Sequence, residues 1–147
     1  MSALTDYLKL ESKAILNTAY RLDEKEVERA LNLLKKCSEN NAKVIITGVG
    51  KSGIVARKIA ATFCSIGLMA IYLNPLDALH GDLGVIAAKD ICIVLSNSGE
   101  TEELLEIVPH LKRKFSSLVG KEKESCAPTF VSTAIAKALF FGNLRFN

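Results

Sequence analysis

Ser96 to Thr101 reads Ser-Asn-Ser-Gly-Glu-Thr and ends an apolar run with three hydroxyls, an amide, a glycine and a carboxylate. An ordinary turn needs about two such residues. Hydroxyls and main-chain amides are neutral donors, and together they can hold a phosphate dianion with few cations. Leu104, Leu105, Val108 and Leu111 follow at helical spacing, so the unpaired amides of a helix start fall at the same place. Ser96, Asn97, Ser98 and Thr101 are therefore candidate ligand-binding residues. A capped turn, with Thr101 or Ser98 as the N-cap, is the plainer reading of the same residues.

Gly48 to Gly53, Gly-Val-Gly-Lys-Ser-Gly, is a second candidate loop between a strand pattern and a helix pattern. It fits G-x-G-x-x-G, but a dinucleotide site expects an acid near the end of the next strand, where Leu73 and Asn74 stand. A P-loop needs glycine where Ile45 lies, so that spacing fails. What remains is a general anion site. Gly50 allows close backbone approach, the first helical amides favour negative charge, Ser52 adds a hydroxyl and Lys51 a full positive charge. A serine-capped helix start would use the same residues.

Both loops need rigid elements to aim them. Lys43 to Thr47, Met69 to Leu73 and Ile91 to Ser96 are short apolar, β-branched runs that read as buried strands. Helices are expected over Ser52 to Ser65 and Thr101 to Arg113, with Pro109 bending the second. Strand and helix alternate, which predicts an α/β fold: a three-layer doubly wound parallel sheet, with ligands bound beyond the strand C-termini. Residues 1–40 read as two amphipathic helices, each burying one stripe on the sheet or on another subunit, the second capped by Asp23. Residues 41–114 form the core, and residues 115–147 diverge. There Ser116 to Gly120 could add a strand, Lys121 to Ser125 a charged loop and Pro128 to Phe141 a helix.

Composition narrows the class. The hydrophobic share is 49% with 6% aromatic and no Trp, so the core is aliphatic. A net charge of +3, dispersed among acidic residues, argues against nucleic acid. Ile59 to Leu76 carries no charge, but Asn74, Pro75 and Gly67 break it, so it is not read as a membrane span. A cytoplasmic protein is expected. Cys37, Cys64, Cys92 and Cys126 form no C-x-x-C motif, and Cys64 and Cys92 read as core residues. No metal is expected.

The three motifs Gly48 to Gly53, His80-Gly81-Asp82-Leu83-Gly84 and Ser96 to Thr101, in that order, resemble the SIS (sugar isomerase) domain, arabinose 5-phosphate isomerase branch. The resemblance covers roughly residues 1–114 and implies an SIS-type, Rossmann-like sheet. It implies interconversion of D-ribulose 5-phosphate and D-arabinose 5-phosphate through an enediol, feeding 3-deoxy-D-manno-octulosonate synthesis without a cofactor. The family's Ser-x-Ser-Gly-x-Thr phosphate pattern falls on Ser96, Ser98, Gly99 and Thr101, and its first-loop serine on Ser52. Lys51, His80 and Glu100 are the catalytic candidates, with Asp82 able to orient His80. Beyond residue 114 the pattern departs from the family. The sheet is expected to be incomplete at that edge, and Glu122 or Glu124 could replace a family glutamate. A homo-oligomer is implied, a tetramer in relatives. The alternative is a sugar-phosphate-binding SIS domain without catalysis.

Overall fold

Five successive residues, Val44–Gly48, are all buried, because this strand (β1) is the middle of a sheet covered on both faces. The structure, a computed structural model, describes residues 2–119. β2 (Ala70–Leu73) and β3 (Ile91–Leu95) flank β1 in the order β2-β1-β3, both parallel to it. The register runs from Val44 opposite Ala70 to Thr47 opposite Leu73, and from Val44 opposite Ile91 to Gly48 opposite Leu95.

Alternating side chains of β1 divide the core. Val44 and Ile46 pack with Cys37, Ala56, Ile59, Ala60 and Phe63, from α2 (Glu24–Glu39) and α3 (Gly50–Ser65). Ile45 faces the other way, against Ala78 of α4 (Pro75–Leu79) and Leu104, Ile107, Leu111 and Phe115 of α5 (Glu102–Val119). That is the expected three-layer arrangement, and it follows from the period-2 alternation of a strand between two helix layers.

Three local readings change. Helix α3 begins at Gly50, not Ser52, with Val49 as its N-cap and no side-chain cap, so Ser52 sits inside the first turn. Ser116–Val119 continues α5 and is not a strand, the Ile107, Leu111, Phe115 spacing having carried the helix past Pro109. Cys64 is exposed, its thiol donating to the Ala70 carbonyl at 3.2 Å, whereas Cys92 is buried as expected. The first helix, α1 (Ala3–Arg21), buries no residue, although α2 buries Ala30 and Cys37. Asp23 does cap α2, accepting from the Lys25 amide at 2.9 Å. The readings for Lys121 to Ser125, Pro128 to Phe141, Glu122, Glu124 and Cys126 fall outside the described residues.

At the N-terminal ends of β1 and β3, Asp90 closes the bottom of the sheet. Its carboxylate is buried and accepts from the Lys43 amide at 3.0 Å, the Ala87 amide at 2.8 Å and the Lys43 ammonium at 2.6 Å. A buried carboxylate is tolerated because its lone pairs are met by charge and by oriented amides.

Candidate functional site

Gly48 and Leu95 are paired neighbours, so the loops that follow β1 and β3 leave the same sheet edge side by side. The chain crosses from β1 into α3 on one face and from β3 into α5 on the other. This is a topological switch point, where open α/β sheets leave a crevice for ligands.

The loop after β3 is held by its own hydrogen bonds. Ser96 is buried, and its Oγ accepts from the Gly99 amide at 2.8 Å and lies 3.3 Å from Thr101 Oγ1. Ser98 Oγ accepts from the Glu100 amide at 3.1 Å. Accepting an amide leaves the Ser98 hydroxyl hydrogen available to donate outward. Gly99 takes φ +79°, a left-handed conformation that costs a side-chain-bearing residue energy. Asn97, Ser98 and Glu100 are exposed, and Thr101 is half-buried.

Electrostatics distinguish the two helix starts. The first turn of α5 carries Glu102 and Glu103, which already use the positive end of its dipole. The first turn of α3 has no acidic residue and carries exposed Lys51 and half-buried Ser52. Of the two helix starts, that of α3 is therefore the better suited to a negative charge.

Next to this crevice lies a cavity of about 300 Å³ between the tips of β1 and β2. Gly48, Gly50, Gly53, Arg57, Tyr72, Asn74 and Glu103 contribute to its wall. Of the residues singled out from sequence, Gly50 lines it, while Lys51, Ser52, His80, the Ser96 to Thr101 residues and Glu100 do not. His80 is the exposed C-cap of α4, and its motif forms that cap and a 3-10 turn over Asp82–Val85. No hydrogen bond joins Asp82 to His80 among the described residues, and Asp82 lies in the first turn of the 3-10 segment.

Arg57, Tyr72 and Glu103 were not anticipated. Arg57 and Glu103 sit at ordinary positions of amphipathic helices, and Tyr72 in an apolar strand. Only the register of β2 on β1 and the return of α5 bring them to one cavity. Glu103 is half-buried in its wall, unlike exposed Glu100. No group of three or more His, Cys, Asp or Glu side chains able to hold a metal ion occurs among the described residues.

A parallel sheet with two glycine- and hydroxyl-bearing loops at one switch point and an adjoining cavity is a doubly wound α/β architecture with a crevice at its strand tips. The SIS domain family matches residues 26–120, and the chain belongs to that family. It is 42% identical over 112 residues to the arabinose 5-phosphate isomerase KpsF of Escherichia coli strain CFT073, covering 76% of this chain and 33% of the relative. The chain thus spans about a third of the length of the curated relatives it matches. Among solved structures, an E. coli CFT073 protein in complex with arabinose 5-phosphate superposes with a TM-score of 0.63 at 40% identity, over 78% of this chain and 62% of that one. A Bacteroides fragilis protein, proposed to be a phosphosugar isomerase involved in capsule formation, superposes with a TM-score of 0.71 at 29% identity, over 87% and 60%.

Proposed function

We propose that this chain carries the sugar-phosphate site of an aldose–ketose isomerase that interconverts D-ribulose 5-phosphate and D-arabinose 5-phosphate, as a cytoplasmic homo-oligomer and without a cofactor. The observation that carries this reading is the pairing of Gly48 with Leu95, which sets the two anion-suited loops side by side at the switch point. The likeness to a protein solved in complex with arabinose 5-phosphate supports the ligand.

In this reading the phosphate rests on the amides at the start of α3 and on the hydroxyls of Ser52, Ser96, Ser98 and Thr101. Gly50 permits close approach and Asn97 flanks the loop. Clamping the phosphate positions carbons 1 and 2 for reaction. A base removes the proton on the carbon beside the carbonyl, its C–H electrons form the enediol double bond, and the proton returns to the neighbouring carbon. The carboxylate in the cavity wall is Glu103, so we assign the base to Glu103 in place of Glu100. Lys51 stabilises charge developing on the enediol oxygens, and His80 exchanges protons with them.

The exposure of His80, to which proton exchange is assigned, favours a second reading, binding without turnover. Incubation with ribulose 5-phosphate in deuterated water separates the two. Deuterium at the carbon beside the carbonyl, with arabinose 5-phosphate formed, is the expected result. Binding without exchange selects the second reading, and neither binding nor exchange overturns both.

A further inference from the structure

If an anion is held mainly at the start of α3, whatever fixes the distance between that helix and β1 sets the affinity. One side chain, Tyr72, meets both β1 and α3 at that junction. Tyr72 stands in β2 opposite Ile46, and its hydroxyl donates to the Gly48 carbonyl at 2.9 Å. Gly48 lies past the last β1–β2 pair, Thr47 with Leu73, so the tyrosine holds the strand where that ladder has ended. The same carbonyl is pressed from the other side by α3. A Cβ built on Gly53 would lie 2.7 Å from the Gly48 oxygen and 3.1 Å from the Tyr72 hydroxyl. One turn further along α3, the Arg57 guanidinium lies 4.3 Å from the centre of the tyrosine ring. Arg57 of α3 thus lies over the ring and Gly53 beside the hydroxyl, which fixes the residue from which the first loop departs.

We infer that Tyr72 is a positioning residue for this site: through its hydrogen bond to Gly48 and the stacked Arg57 it holds the first turn of α3 at the spacing that binds the phosphate of a sugar phosphate. This rests on the anion-site reading above. The effect falls on binding of substrate and transition state alike, so it is expected in KM and not in kcat.

The test uses the full chain, with inorganic phosphate and arabinose 5-phosphate titrated calorimetrically. Tyr72→Phe removes the hydroxyl alone. It is expected to weaken both ligands about fivefold to tenfold, the scale of one hydrogen bond, while the far-ultraviolet spectrum is kept. Backbone amide resonances of residues 49–53 are expected to shift, and any KM to rise with kcat held. Arg57→Lys keeps the charge but loses the planar stack, and is expected to weaken both ligands about threefold. Unchanged affinity in folded Tyr72→Phe overturns the inference and leaves the anion site standing. If Tyr72→Phe does not fold, unchanged affinity in Arg57→Lys overturns it instead. A wild-type chain that binds neither ligand removes the anion site itself and the inference with it.

Discussion

At the level of single residues, two carboxylates three positions apart have different surroundings. Glu100 projects from the hydroxyl loop into solvent, whereas Glu103 is half-buried in a cavity wall. A proton-transfer base has to reach the substrate carbon, so Glu103→Gln is expected to lower deuterium exchange at least about 100-fold. Glu100→Gln is expected to stay within about threefold. The opposite order would move the base back to the loop. Sequence exposed the hydroxyl loop because its chemistry is local: six adjacent residues carry it. It hid Glu103, which reads as a first-turn glutamate serving the helix dipole. The cysteines offer a second contrast. Burial pushes the Cys92 thiol up from 9.0 to about 12, which leaves almost no thiolate near neutral pH. A thiol reagent is expected to modify exposed Cys64 in the native protein and Cys92 only on unfolding. Cys92 therefore favours the fold fully below pH 9, and that contribution is lost as pH rises from 9 toward 12. Rapid native labelling of Cys92 would contradict both statements.

Secondary-structure elements were legible where periodicity and punctuation agreed. The three strands and α3 lie within two residues of their expected ends, because β-branched runs bounded by glycine or Asn-Pro leave little choice. Ser116–Val119 misled because a short apolar stretch fits strand and helix alike, and only packing of the preceding helix decides. The Asp90 closure was invisible for another reason: it joins residues 47 apart in sequence. Asp90 ties the start of β3 to the residue before β1, so it holds the very register that puts Gly48 beside Leu95. Asp90→Ala strands a partly buried ammonium and two amides. It is expected to cost about 3 kcal/mol, or about 10 °C in melting midpoint for a chain of this size. A loss under 2 °C, read by calorimetry, would show that the sheet edge does not depend on this staple.

Among the described residues, the longest helix is one that the core leaves uncovered. Helix α1 is 19 residues long, about 28 Å, and none of them is buried. Leu4, Tyr7, Leu8, Ile15 and Tyr20 are each more than half exposed. A lone helix of this length is marginal in water, so its stability has to come from apolar burial. The sequence stripe was legible, but what it meets was not, since amphipathicity marks a face and does not name its partner. In the homo-oligomer proposed above, that partner would be a second copy, covered by α1 of the first. Sedimentation is then expected to give a multiple of 15.9 kDa that falls apart on dilution. The paired change Leu8→Asp and Ile15→Asp should leave single chains with reduced helical ellipticity and an intact β-sheet signal. A wild-type chain that sediments at 15.9 kDa with α1 amides protected from exchange would place the cover within the chain itself and remove the oligomer from the proposal.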